Sequence, residues 1–146
     1  VTPAEYREAA RVFKEYVNEQ NKAEYTFRDM RDLYYLGGAM KRYEEQRENL
    51  IFSAEVHFVR FGDIAIATSP FELFLDYGLR IKTQSPAEQT FLIQLACNCG
   101  GYLPTEKAEK GGGYSAFVAS GKTGHEGGDL LVRKTLSVLD SMWEKK

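Results

Sequence analysis

I-A-I-A-T-S-P-F-E-L-F, residues 64–74, decides how the rest of the chain is read. Ile64, Ala65, Ile66, Ala67 and Thr68 form a short, unbroken, uncharged run. Such a run is expected for an interior strand covered on both faces. Ser69-Pro70 then breaks it, and Leu73, Phe74, Tyr77, Leu79 and Ile81 follow at helical spacing up to Ser85-Pro86. A second run of the same kind, T-F-L-I-Q-L-A at residues 90–96, comes next. Strand, helix and strand in that order make a βαβ unit, whose two strands are parallel neighbours.

Upstream, Phe52, Ala54, Val56 and Phe58 alternate with Ser53, Glu55 and His57. That is the period of a half-buried strand, and Gly62-Asp63 reads as a hairpin turn into residues 64–68. The first 49 residues are helical in pattern. Thr2-Pro3-Ala4-Glu5 is a capping box with proline at the first helical position, ahead of Tyr6, Ala10, Phe13 and Val17. Polar residues 18–22 end that helix. Thr26 and Asp29 cap a second, carrying Met30, Leu33, Tyr34, Met40 and Tyr43. Gly37-Gly38 is expected to kink it or to permit close packing, and the charged residues 41–48 read as its solvated end. A closing helix is expected near residues 128–143, built on Leu130, Leu131, Leu136, Leu139 and Trp143. The reading is therefore α/β, with α+β as the neighbouring class. Two N-terminal helices (1–49) precede a mixed sheet with a hairpin, a βαβ unit and a C-terminal helix (50–146). Residues 1–146 make a single domain or part of a larger one.

Bulk properties bound the function. A chain of 146 residues with 43% hydrophobic and 13% aromatic content buries a core and is not disordered. A net charge of −2 supplies no basic field for nucleic acid and no polybasic membrane patch. No apolar run approaches the roughly 20 residues of a membrane span, and the first residues do not resemble a signal peptide. Because the chain begins at Val1 and not at Met, a processed or excised segment is expected.

Candidate chemistry falls at one edge. In an open α/β sheet, ligands bind beyond the carboxyl ends of the strands. Residues 68–72 and residues 98–105, N-C-G-G-Y-L-P-T, both fall there. Neighbouring parallel strands lie about 4.8 Å apart, so Glu72 and Tyr102 can converge. The competing reading of Glu72 is local, since Ser69-x-x-Glu72 is itself a capping box. Tyr102 reads equally as a loop aromatic over the core.

Other features read as structural. Cys97-Asn98-Cys99 would make a strained disulfide, and a zinc ribbon needs four Cys or His ligands, which His57 and His125 do not complete. The cysteines read as small residues in a tight loop, and His57 as a surface or hydrogen-bonded histidine. Gly121-Lys122-Thr123 fails as a phosphate loop, because the leading glycine position holds Ala116. Gly127-Gly128 can offer amides to an anion, although helix starts often carry glycine without one.

The stretches G-D-I-A-I-A-T-S-P-F-E-L-F-L-D-Y-G-L-R (62–80), L-A-C-N-C-G-G-Y-L-P-T (95–105) and Gly113-Tyr114 resemble the later part of the catalytic domain of neutral/alkaline (non-lysosomal) ceramidases. Their bacterial relatives are the closer match. The resemblance covers residues 52–143, and the order of P-x-E, G-L-R, N-x-x-G-Y-L-P-T and glycine-tyrosine carries it. It implies a zinc-dependent hydrolase of N-acyl sphingoid amides, secreted or periplasmic, with Glu72 and Tyr102 as zinc ligands. Two histidines from an earlier part of the domain would complete the set. Zinc would polarise the amide carbonyl and lower the pKa of bound water toward about 7, while the tyrosine steadies the developing oxyanion.

Two departures stand out. Phe71 replaces the glycine of the family's P-G-E, and neither His57 nor His125 lies in a matching histidine motif. The implied partners are the N-terminal remainder of the same protein and a lipid amide, without nucleic acid. The 146-residue chain alone is expected to be inactive, and its uncovered apolar surface to favour self-association. The alternative is a non-catalytic α/β structural or interaction module of a larger secreted protein.

Overall fold

The structure is a computed structural model that describes residues 1–19 and 24–144. It comprises two N-terminal helices, a mixed three-stranded sheet, a small parallel two-stranded sheet and a C-terminal helix, an α/β architecture. The chain divides into two compact units. The first is Val1–Phe52 with Phe117–Ala119, and the second is Ser53–Ala116 with Ser120–Lys146.

The first unit is a helical hairpin, α1 (Pro3–Glu19) and α2 (Phe27–Glu48). The expected end of α1 at residues 20–22 lies outside the described residues. Both capping boxes form. Thr2 N–H donates to Glu5 Oε2 at 2.7 Å while Glu5 N–H donates to Thr2 Oγ1 at 3.2 Å. Thr26 and Asp29 reciprocate at 2.7 and 3.3 Å. Asp29 also accepts from the Tyr16 hydroxyl, so one buried carboxylate caps α2 and ties it to α1. That bond holds the Tyr16 phenol up at about 12. At the other end Tyr6 stacks on Tyr43 with centroids 4.5 Å apart, which makes the helices antiparallel. Helix α2 runs unbroken through Gly37-Gly38. Close packing explains the second glycine: a Cβ on Gly38 would stand 2.2 Å from that of Ala119.

In the second unit, β1 (Phe58–Phe61) and β2 (Ile64–Thr68) form the expected hairpin, with Gly62 at φ 61° in the turn. Strand β4 (Gln89–Ile93) pairs parallel to β2, giving the order β1-β2-β4. The βαβ unit is completed by α3 (Leu75–Gln84). Beyond β4 lie β5 (Gly101–Leu103), α4 (Glu106–Gly111) and α5 (His125–Trp143).

Five expectations are corrected. The first strand begins at Phe58 and not at Phe52, because β2 ends at Thr68. Its last pairing there is Thr68 N–H to the His57 carbonyl at 3.0 Å, so earlier residues have no ladder to join. Residues 71–73 are a third strand, β3 (Phe71–Leu73), where the helical pattern was expected to start. Helix α3 starts only at Leu75, with Phe74 as a cap that makes no side-chain bond. The strand expected over 90–96 stops at Ile93, and residues 101–103 of the expected loop are strand β5. The final helix begins at His125, so Gly127 and Gly128 lie within it.

The fifth correction concerns the two-sided cover expected of residues 64–68. Register places Arg60, Ala65 and Thr90 on one face, with Phe58, Ala67 and Leu92 beside them. Helices cover this face: Arg60 lies 4.1 Å over the Trp143 ring of α5, and Gly78 of α3 backs onto Leu92. The opposite face carries Ile64 and Ile66 and is open. Beneath the helices, Tyr77, Ile81, Leu103, Val132, Thr135 and Leu139 are buried. Truncating a buried leucine such as Leu139 to alanine is expected to cost about 2–5 kcal/mol.

Candidate functional site

The site grows from the way β2 continues into β3 alongside the chain from β4 to β5. Ser69 N–H donates to the Ile93 carbonyl at 2.8 Å and its own carbonyl accepts from Ala96 at 3.0 Å. The Pro70 carbonyl accepts from Gly100 N–H at 2.7 Å. Proline's missing donor is therefore no loss here, since the bond uses its oxygen. Residues 94–100 bulge between the strands, with Leu95 and Cys97 at φ 54° and 66°. Bulges of this kind re-aim the side chains beyond them.

Tyr102 lies just past this bulge. In the parallel β3–β5 ladder Phe71 pairs with Gly101, Glu72 with Tyr102 and Leu73 with Leu103. Cross-strand partners point to the same face, and both side chains are half-buried. Hydrogen bonding to Glu72, and then the carboxylate's negative charge, push the Tyr102 phenol above its ordinary value. Tyr114 packs edge-on against its ring, with centroids 6.1 Å apart. Ser69 does not cap a helix through Glu72; its hydroxyl accepts from Phe71 N–H at 3.2 Å.

Two glycines make the geometry possible. A Cβ on Gly100 would sit 2.3 Å from the ring of Phe71, which is buried. The bulk at position 71 therefore occupies the space that Gly100 leaves. Gly101, at φ 70°, faces Gly121 in an isolated antiparallel bridge, and a Cβ on Gly121 would lie 2.1 Å from the Tyr102 carbonyl. The G-K-T segment is thus a backbone brace against β5.

A carboxylate and a phenol are oxygen donors that fit part of a zinc set, which is usually four-coordinate. Among the described residues no group of three or more His, Cys, Asp or Glu is placed to hold a metal. His57 pairs through Nε2 with Glu55 Oε1 at 2.9 Å. His125 Nδ1 pairs with Glu109 Oε2 at 2.5 Å, and its backbone N–H donates to Glu109 Oε1 at 2.8 Å. Cys97 and Cys99 are free and exposed. A shallow cleft of about 280 Å³ is lined by Leu73, Leu75, Leu79 and Leu92 together with Lys82 and Gln94. Alternation along β3 puts Leu73 on the face opposite Glu72, so this cleft is not part of the site.

Sequence reasoning missed the Glu109–His125 pair and the Arg80–Asp129 ion pair, 2.6 Å between α3 and α5. Their members are 16 and 49 residues apart, and neither separation is a local signal. Hydrogen bonding to Glu109 raises the His125 pKa. A charged imidazole is otherwise disfavoured at a helix N-terminus.

No protein-family model, curated protein or solved structure matches the chain. No helix among the described residues is long and apolar enough to cross a membrane.

Proposed function

We propose that this chain is the C-terminal portion of a ceramidase-like, zinc-dependent amidase that hydrolyses N-acyl (sphingo)lipid amides in a secreted or periplasmic setting. Glu72 and Tyr102 supply two zinc ligands, and the N-terminal remainder of the protein supplies the others. The observation supporting this reading is the Glu72–Tyr102 pairing in register at the carboxyl edge of the parallel strands. Two residues 30 positions apart, singled out by their place at the strand edge and by the resemblance, stand side by side. When bound, zinc supplies Lewis acidity toward the amide carbonyl.

The protein's own contribution is to hold the two oxygens on rigid strands, braced by Gly100 against Phe71 and by Gly121 against Tyr102. The phenol must give up its proton to become a ligand, so metal affinity rises with pH. With two ligands only, the isolated chain binds zinc weakly and turns over no ceramide.

A second reading, a non-catalytic module of a larger secreted protein, is favoured by one observation. Glu72 acts directly on the Tyr102 phenol, so the pair has a structural role of its own. Metal content and amidase activity of the longer protein separate the two readings. Loss of both in Glu72→Gln supports the amidase; wild-type zinc content and turnover in that variant would eliminate it.

A further inference from the structure

The open face of the three-stranded sheet is built to meet another apolar layer. Its residues are set by the ladder: Val59 pairs with Ile66 and Ile66 with Phe91, while Phe61 pairs with Ile64 and Thr68 with Ile93. Val59, Phe61, Ile64, Ile66, Phe91 and Ile93 therefore form one continuous patch without a charged side chain. Within the paired strands only Thr68 and Gln89, at two corners, are polar on this face.

Exposure along this patch is high: 51% for Val59, 76% for Phe61, 49% for Phe91 and 48% for Ile93. At roughly 150–250 Å² per aromatic side chain, and less for Val59 and Ile93, the patch leaves on the order of 500 Å² open. That is near the upper end of the largest patch on an ordinary monomer. It is also half of the roughly 1,000 Å² that a specific interface must clear, before any contribution from a rim.

We propose that two copies of this chain pack these faces together across a two-fold axis, forming a two-sheet sandwich. A two-fold interface brings the same patch to itself, so it must be self-complementary. A patch free of charge meets that condition without repulsion. β-branched and aromatic residues on adjacent strands suit face-to-face sheet packing at about 10 Å. Covering the patch also removes water from both sides of β2, whose composition is that of a strand buried on both faces. The pairing is independent of the zinc reading, because it uses no residue of the Glu72–Tyr102 pair.

Sedimentation equilibrium on the 146-residue chain at tens of micromolar is the test, with Phe61→Lys, Phe91→Thr and Leu130→Lys compared. Phe61 is mostly exposed at a strand end, so lysine there leaves the fold intact, which circular dichroism checks. Phe91→Thr keeps a β-branched residue in the strand should the charged variant misfold. Leu130 is exposed on α5, away from the sheet face, and is the control.

The expected result is a mass near twice 16.6 kDa for wild type and Leu130→Lys. Phe61→Lys should be monomeric, and Phe91→Thr should dissociate at least tenfold more readily. A monomeric wild type overturns the proposal and assigns the face to another occupant, such as the remainder of the amidase domain. A dimer that persists in both face variants, or open-ended association, overturns it equally.

Discussion

Glu72 of β3 stands directly across the parallel ladder from Tyr102 of β5. The pairing carries a measurable signature, because the carboxylate holds the phenol's proton more tightly than water would. Glu72→Gln should lower the Tyr102 pKa toward its ordinary value by removing both the anionic acceptor and its charge. Ultraviolet difference titration of phenolate, with Tyr102→Phe to assign the transition, measures it. An unchanged titration would separate the two side chains. Added zinc should promote the same phenolate signal at a lower pH in wild type, and not in either variant.

Gly100→Ala should destabilise the fold by about 1–3 kcal/mol, the usual range for forcing extra bulk into a packed site. The new methyl would press on the buried Phe71 ring. Because both changes act on one space, Gly100→Ala and Phe71→Ala should be non-additive. Urea denaturation of the two single variants and the double variant gives the coupling. Strict additivity would count against the contact.

The His125–Glu109 pair should make stability depend on pH in a defined direction. The folded His125 pKa lies above its ordinary 6.5. Its stabilising contribution is therefore complete below the unfolded value and is lost as pH rises through the folded one. Glu106 and Glu126 add negative charge of the same sign of effect. Glu109→Gln should flatten the stability profile across that window, as followed by thermal melts at a series of pH values. A profile identical to wild type would show that the pair contributes nothing to stability.

Thr26→Ala should cost about 1 kcal/mol through loss of one half of a capping box. Asp29→Ala should cost more, because it removes the other half and the Tyr16 bond together. Hydrogen exchange at the first amides of α2 tests this. Equal protection loss in both variants would deny Asp29 its double role.

Much of this fold is legible in the sequence, because it rests on contacts a few residues long. Thr2-Glu5 and Thr26-Asp29 mark the first residues of their helices. Gly62-Asp63 turns a hairpin, and the uncharged runs at 64–68 and 90–96 find each other as parallel β2 and β4. The approach of Glu72 to Tyr102 is legible only in outline, from the rule that loops after adjacent parallel strands converge.

Tertiary structure decided the rest. Ser69-x-x-Glu72 has the residue types of a helix cap, and nothing within four residues distinguishes that use from a strand. Three-residue strands such as β3 and β5 exist only because each supplies the other's backbone partners. Those partners are 30 residues away, anchored by Pro70 to Gly100 and by Phe71 in the space that Gly100 leaves. The runs at 64–68 and 90–96 likewise mark β2 as an interior apolar strand, but not that helices cover one of its faces only. Which face is left open depends on where α3 and α5 come to rest, and that is set by packing over the whole unit.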